Sequence, residues 1–307
     1  MIKKTLFLFA WLLAAGGMAA QGTLQVVTKT VQKSIAWKSG YTVEIHCEKA
    51  EVDVEAVLTG SNAVTVKADL TARHPQLDSA KYDLAAWKFV TSTVGRKIYI
   101  RAYIGLPSGQ ALPNSNLKAR ITVRVPLQCP VTLTNKFGKA RLEHLAGAVR
   151  LTGEFCAFTL VDLQGGVRVE SQYGNVNGRQ LSGQVELQTK RSAVVLSGLR
   201  GDCSVRSEYG TVDVEGGAQM GNLSIQSNKG DVTVETGNPT RHNFTLSATY
   251  GEVKVPASPH FEASANGHVK QASLQQGTGR PQVMVETTFG KITVQLKRAV
   301  SQKVDKS

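Results

Sequence analysis

The sequence lacks the short motifs that identify the common catalytic and cofactor sites. It contains no GxSxG, no HExxH and no glycine-rich phosphate-binding loop. Its four cysteines form no CxxC pair, and its six histidines do not follow the spacing of metal ligands. We therefore expect a protein that is not an enzyme and that has no catalytic residue, metal site or cofactor.

Long apolar runs are also missing after residue 20, whereas a membrane-spanning helix needs about 20 consecutive apolar residues. At the start of the chain, Lys3 and Lys4 precede a shorter apolar run, which ends in the small residues Ala19 and Ala20. This pattern predicts a signal peptide over residues 1–20. No cysteine follows it, as a lipoprotein would require. We expect an exported protein with no transmembrane segment after cleavage, located in the periplasm, on the outer-membrane surface or outside the cell.

Acidic residues are fewer than basic ones, 23 against 36, so the net charge is +13. Residues 21–128 contain 14 Lys and Arg against 8 Asp and Glu, whereas residues 129–296 contain 16 against 14. A nucleic-acid-binding protein concentrates basic side chains on one face. The nearly neutral second part and the predicted export therefore argue against nucleic acid. The basic segments suit an envelope polysaccharide or a surface or membrane protein, or they simply keep the protein soluble.

The sequence does contain an internal repeat, which is the strongest guide to its fold. Four consecutive units have 18 residues each, and the next two have 20 and 21. These six units are residues 131–148, 149–166, 167–184, 185–202, 203–222 and 223–243. Two further units begin at Phe244 and Val283, and a degenerate unit is expected between them near Phe261.

Each unit alternates apolar and polar residues, as Val167, Arg168, Val169 and Glu170 illustrate. This alternation predicts a strand with one buried face, and it resumes at positions 10 and 12 of the unit. No unit has room for a crossover helix, which excludes a doubly wound α/β fold. Because one unit cannot bury its apolar face alone, we predict an all-β protein. Its fold would be a single-stranded β-solenoid (β-helix) of roughly 18–20 residues per rung, with successive units stacked.

Glycine recurs at position 8 in six of the eight units. These structural corner glycines are Gly138, Gly174, Gly210, Gly230, Gly251 and Gly290. Inward residues fall at odd positions before this point and at even positions after it, so the chain must break its alternation there. Glycine adopts a positive φ without steric cost. We predict that these glycines supply it, and that Cys156 and Ser192, which replace glycine in two units, mark a different corner.

Position 7, just before the glycine, forms a candidate surface column. Its members are Phe137, Phe155, Tyr173, Arg191, Tyr209, Lys229, Tyr250 and Phe289. Side chains at this position in successive units would lie one rung apart, so that their rings and cationic groups stack over one another. Either the column binds sugar rings or a partner, or it is a structural stack that closes the edge of the solenoid. We favour the second interpretation.

The remaining segments alternate less regularly. Residues 21–128 are predicted to form an irregular β region that caps the first rung of the repeat domain, residues 129–296. Apolar spacing allows one short helix within residues 77–87, and composition predicts a loop over residues 105–118. The basic polar tail, residues 297–307, is expected to discourage strand pairing at the other end.

The stack constrains the four cysteines. Cys156 and Cys203 would lie three rungs apart, about 14 Å along the axis, which is beyond the reach of a disulfide. Cys203 is expected to be a small core residue. A bond between Cys47 and Cys129, joining the cap to the first rung, remains open.

Parallel β-helices host polysaccharide-cleaving enzymes, so neighbouring carboxylates are the remaining catalytic candidates. Two pairs fall on adjacent units, Glu170 with Glu186 and Asp213 with Asp231. Both occupy outward strand positions, where solvated carboxylates belong in any case. We do not assign them a catalytic role.

Several segments resemble a known family. The run ITVRVPLQCPVTLTNKFGKARLEHLAGAVRLTGEF and the later QYGNVN, EYGTVDVEG, NKGDVTVE and TYGEVKV are similar to the putative-adhesin family of β-strand-repeat exported bacterial proteins, a domain of unknown function. The form is the one common among Bacteroidetes, and the resemblance covers about residues 40–296. It implies a β-solenoid, an envelope or extracellular location, and a binding or structural role without catalytic residues. Some relatives with such repeats are linked to envelope-stress sensing.

We therefore expect an exported, non-enzymatic β-solenoid that presents a binding or structural surface in the bacterial cell envelope, as an adhesin does. One alternative is a periplasmic component of an envelope-stress sensing system. Another is a polysaccharide-active β-helix enzyme. The sequence identifies no ligand or partner.

Overall fold

The computed structural model describes residues 23–57, 60 and 62–297. The predicted signal peptide and residues 298–307 of the predicted tail lie outside this part. Before the regular repeat come β1 (Gln25–Ala36), β2 (Thr42–Glu48), β3 (Ala50–Val57), β4 (Ala63–His74), α1 (Leu77–Leu84), β5 (Trp87–Val94), β6 (Lys97–Ile104) and β7 (Asn116–Pro126).

The repeat contains the remaining strands. The central ones are β8 (Val131–Glu143), β9 (Val149–Leu163), β10 (Val167–Gln172), β11 (Val176–Leu181), β12 (Val185–Lys190), β13 (Val194–Glu208), β14 (Val212–Asn228) and β15 (Val232–Thr236). A 3-10 helix, Pro239–Arg241, precedes β16 (Asn243–Thr249), β17 (Glu252–Lys254), β18 (Glu262–Asn266), β19 (Val269–Leu274), β20 (Gln282–Thr288) and β21 (Lys291–Leu296).

The central rungs stack in parallel and in register, one unit apart. Val131 pairs with Val149, Val149 with Val167, and Val167 with Val185. The apolar positions of each strand point inward and are buried, whereas the residues between them point outward. Burying aliphatic side chains of this kind stabilises each rung by roughly 1.5–3 kcal/mol per side chain. The protein is therefore a β-solenoid-like repeat protein, as the period predicts.

At the N-terminal end, the stacking order differs from the chain order. The rung formed by β2 and β3 lies between the β6–β7 rung and β8, and all these pairings are parallel. Beyond it, β5 pairs with β6, β4 with β7, and β1 with β4, all antiparallel. The first rung of the chain is thus inserted between two later ones.

This arrangement corrects the expectation of an irregular region over residues 21–128, because two of its strand pairs are regular rungs of the same stack. The boundary at residue 128 therefore does not separate two sheets. Helix α1 forms where a short helix was predicted and packs against β1 and β4. Within the predicted loop, residues 105–115 form no strand and β7 begins at Asn116.

The C-terminal end shows the same kind of insertion. Strands β20 and β21 lie between the β14–β15 rung and the β16–β17 rung. The expected degenerate unit near Phe261 is not a rung, because β18 and β19 form an antiparallel hairpin whose second strand pairs with β16. Phe261 itself is buried, with its ring centroid 5.5 Å from that of Phe244. The last rung of the chain is therefore held inside the stack.

Candidate binding surface

The eight candidate residues at position 7 form one corner of the solenoid. All have a left-handed backbone, with φ between 52° at Phe155 and 59° at Phe289, and Lys49 between β2 and β3 shares it with φ of 50°. The backbone N–H of a corner residue donates to a carbonyl oxygen of the adjacent rung, as from Tyr173 to Lys190 at 3.0 Å. The parallel hydrogen-bond ladder therefore continues through the corner.

The prediction that glycine supplies the positive φ is wrong, since position 7 supplies it in every unit. Units with Cys156 or Ser192 at position 8 have the same corner, because Phe155 and Arg191 before them both have φ of 52°. Where glycine stands at position 8, it instead allows a close approach of the backbone to the adjacent rung. A Cβ on Gly174 would overlap with the carbonyl oxygen of Cys156 in the adjacent rung. The same overlap with a backbone carbonyl oxygen arises at Gly138, Gly210, Gly230, Gly251 and Gly290.

The position-7 side chains stack along the axis as one column. From the N-terminal end the order is Phe137, Phe155, Tyr173, Arg191, Tyr209, Lys229, Phe289 and Tyr250. Phe155 lies 5.3 Å from Phe137 and 4.7 Å from Tyr173 between ring centroids, with interplanar angles of 5° and 7°. At the far end Tyr250 stacks on Phe289 at 5.0 Å and on His268 of the β18–β19 turn at 4.6 Å.

The two cations of the column each lie between two rings. The Arg191 guanidinium is 5.4 Å from the centroid of Tyr173 and 5.7 Å from that of Tyr209. The Lys229 ammonium is 5.1 Å from Tyr209 and 6.0 Å from Phe289. Such contacts stabilise exposed sites by about 0.5–1 kcal/mol each. The cations thus fill positions that rings occupy elsewhere in the stack.

The column faces solvent, since exposed fractions run from 40% at Tyr173 to 55% at Tyr250. The neighbours in the stack nevertheless cover the ring faces and leave the edges exposed. A sugar ring packs its C–H groups against a free aromatic face, which the inner members of this column do not offer. The geometry therefore favours the structural-stack interpretation over direct sugar stacking.

Sequence reasoning missed a second column, formed by polar residues that point inward at position 5. Ser171 donates to the carbonyl oxygen of Gly174 at 2.7 Å, and Ser227 donates to that of Gly230 at 3.1 Å. The buried members of this column are Asn135, Ser171, Thr189, Ser207, Ser227 and Thr287. The signal was present as a polar residue three positions before the corner glycine. The serine hydroxyls of this column, at Ser171, Ser207 and Ser227, donate to the carbonyl oxygen of the corner glycine in their own unit.

A polar groove of about 880 Å³ runs beside the column, on the outer face of the strands that precede the corner. Positions 4 and 6 of successive rungs, from β8 to β16, provide its side chains. The strand register places Gln188, Arg206 and Gln226 directly in line. Rungs are about 4.8 Å apart, so the groove presents a side chain at each step along the axis.

Three of the four carboxylates considered for catalysis make structural contacts. Arg168 bridges the first pair, with nitrogen atoms 3.4 Å from Glu170 and 3.4 Å from Glu186. In the second pair, Asp231 accepts from the backbone N–H of Lys291 at 2.8 Å. Over the described ranges, no group of three or more His, Cys, Asp or Glu residues could hold a metal ion. In the same ranges no helix is long and apolar enough to span a membrane.

All four cysteines are free and buried, so the bond considered between Cys47 and Cys129 is not formed. Burial raises the pKa of Cys47, Cys129 and Cys203 to about 12 and that of Cys156 to about 11. The thiolate is the reactive form of cysteine. These side chains therefore act as small core residues rather than as nucleophiles.

Comparisons with known proteins find one matching family model and several similar solved structures. A family model described as Toastrack DUF4097 matches residues 132–295. A solved structure described as a putative adhesin from Bacteroides fragilis is 13% identical, with 87% of this chain and 97% of that chain covered and a TM-score of 0.45. One from Parabacteroides merdae, also described as a putative adhesin, is 9% identical over 88% and 97%, with a TM-score of 0.39. No curated protein sequence matches the chain.

Proposed function

Because the chain belongs to the Toastrack DUF4097 family, we propose that it is an exported, non-enzymatic β-solenoid that presents a binding surface in the bacterial cell envelope. The main support for this proposal is the polar groove beside the position-7 column. The groove runs without interruption from β8 to β16. Small-molecule sites are enclosed and mostly apolar. A long, open, polar groove instead suits an extended partner held at many points.

The non-catalytic part of the proposal follows from the chemistry of the same surface. Its carboxylates are exposed and largely paired with basic side chains, as Glu154 is with Lys136 at 3.2 Å and Glu208 with Lys190 at 3.4 Å. A carboxyl group that acts as a general acid is usually shielded from solvent, which raises its pKa. The described surface offers stable contacts rather than a reactive group.

Fractionation of the native cells tests the location. We expect the protein in the periplasm, the outer membrane or the medium, and absent from the cytoplasm. Chemical cross-linking of intact cells with mass spectrometry then tests the surface. Cross-links to partners should involve Lys136, Lys190 and Lys229 beside the groove more often than Lys139 and Lys291 on the strands after the corner.

The outcomes of fractionation and cross-linking distinguish the candidate functions. A purely cytoplasmic protein, or cross-links spread evenly over both faces, would contradict the proposal. A single recurrent membrane protein as partner would favour the envelope-stress sensing role. Release of reducing sugars from any acidic polysaccharide by the purified protein, and its loss in Glu170→Gln, would favour the enzyme instead.

A further inference from the structure

The groove beside the column carries unpaired planar polar groups along its centre. The side chains of Gln172, Gln188, Arg206, Gln226 and Asn228 are exposed and, within the described part of the chain, make no hydrogen bond or ion pair. They lie on β10, β12, β13 and β14, which are neighbours in the stack. Amide and guanidinium groups present two polar atoms in one plane, which matches neighbouring hydroxyl groups on a sugar ring.

The fixed charges of the groove nearly cancel, since its lining has three basic and four acidic side chains, and the acidic Glu170 pairs with Arg168 just outside the lining. Lys136 pairs with Glu154, Lys190 with Glu208, and Arg168 with Glu170. Among the lining residues, one cation and one carboxylate remain unpaired, Arg206 and Glu286. They stand two rungs apart in the same row, with Gln226 between them. A ligand without net charge therefore fits this groove better than a polyanion or a polycation.

The backbone hydrogen bonds between the strands also limit how a ligand can be bound. The backbone groups of β10, β12 and β13 are used in parallel pairing with their neighbours on both sides. An extended peptide that adds to a sheet needs a free strand edge, which these inner strands do not provide. Recognition must come from the outward side chains, which favours a ligand rich in hydroxyl groups.

From this arrangement we propose that the groove binds one chain of a neutral linear polysaccharide, laid parallel to the solenoid axis. Gln188, Arg206 and Gln226 would each contact one sugar residue, because the rung spacing is close to the length of a sugar ring. Tyr173 and Tyr209 directly follow the lining residues Gln172 and Glu208 in the chain. The inference rests on the proposed function and names the class of ligand for it.

Isothermal titration of the purified protein with defined hexasaccharides tests the inference. The probes are cellohexaose, maltohexaose and mannohexaose, with an oligogalacturonate as the charged comparator. The groove variant is Gln188→Ala/Arg206→Ala. The matched control is Asn177→Ala/Arg179→Ala, which removes an exposed amide and an exposed guanidinium from β11 on the other row of strands.

We expect at least one neutral hexasaccharide to bind, with a Kd that rises at least tenfold in the groove variant and less than twofold in the control. Raising the salt concentration from 50 to 500 mM should change the Kd less than twofold, because no net charge is involved. A Tyr173→Leu/Tyr209→Leu variant should weaken binding less than the groove variant does.

Four outcomes would overturn the inference: no neutral hexasaccharide binds at millimolar concentration, only the oligogalacturonate binds, the control variant loses as much affinity as the groove variant, or the tyrosine variant loses more. Unchanged thermal unfolding of the variants shows that lost affinity is not lost folding. If the cellular experiments succeed while all these titrations fail, the proposed function stands and the polysaccharide inference falls.

Discussion

The middle of the solenoid and its two ends reach the same parallel stacking in different ways. From β8 to β14 each unit pairs with the next one along the chain, since 18 residues, or 20 at the last step, make one turn and leave no long loop. At each end one rung is inserted out of order, β2–β3 at the first and β20–β21 at the last. Connectivity fixes the order in the middle, but the ends need specific contacts between rungs.

Charge provides such contacts at the N-terminal end. Strand β3 is acidic on its outer face, and the strands on both sides of it are mainly basic there, except for Glu143 of β8 opposite Glu55. Glu51 contacts Arg120 of β7 at 3.1 Å and Lys139 of β8 at 3.3 Å. On the preceding side of the rung, Glu44 of β2 pairs with Lys97 of β6. An acidic rung between two basic ones has opposite charges on both sides, whereas the chain order would place the two basic rungs together.

The largest effect is expected where the middle rungs approach most closely. In Gly174→Ala the added Cβ would overlap with the carbonyl oxygen of Cys156, and backbone hydrogen bonds of the nearby Tyr173 and Val176 to the following rung limit how far the chain can move. We expect a loss of about 2–3 kcal/mol in the free energy of unfolding, measured with urea. The control is Gly237→Ala, whose Cβ would meet nothing within 4 Å. Equal stability of the two variants would show that the close contact does not constrain the stack.

Much of this fold could be predicted because its pattern repeats. The 18-residue period, the buried face and the position-7 column all follow from residues such as Val167, Val169 and Tyr173, which recur at fixed positions. The function of the glycine could not be assigned correctly, because a glycine in the pattern looks the same whether it supplies a positive φ or a close approach. Only the structure distinguishes these two roles, because Tyr173 has the positive φ and a Cβ on Gly174 would overlap with the adjacent rung.

Two other features left no recognisable pattern. A second corner lies at position 14, where His144, Asp162, Gln180 and Gly198 all have positive φ, from 49° to 65°. These four residues share no chemical type, so the sequence does not mark the corner. The inserted rungs were missed for a different reason. Alternation shows which face of a strand is buried, but not which strand lies beside it.

Replacing corner residues by glycine should change the free energy of unfolding in opposite directions at the N-terminal end and in the middle of the solenoid. Lys49 and Phe155 have nearly the same left-handed backbone, φ of 50° and 52°. Lys49→Gly should raise the free energy of unfolding by about 0.5–1 kcal/mol, because glycine relieves the left-handed strain. Phe155→Gly should lower it by about 1–2 kcal/mol, because the ring stacks on two neighbours. A rise in both variants would show that the ring of Phe155 contributes nothing beyond its backbone.

The smallest effect concerns the charges around the inserted rung. Burial acts to raise the pKa of Glu51, but the hydrogen bonds and charges of Lys139 and Arg120 outweigh it and lower the pKa. Glu51→Gln should therefore destabilise the protein at pH 7 by about 0.5–1 kcal/mol, a range that allows for solvent screening. Glu154→Gln in a middle rung, with its single partner Lys136, should cost less.

The pH dependence separates this charge effect from a change of shape. A carboxylate whose pKa is lower in the folded state stabilises the protein above its unfolded pKa of about 4.3, and the contribution is lost as the pH falls through the folded value. Urea titrations at pH 7 and pH 3 should therefore find a smaller difference between wild type and Glu51→Gln at the lower pH. A difference that is equal at both pH values would mean that Glu51 acts through packing, and that charge does not select the inserted rung.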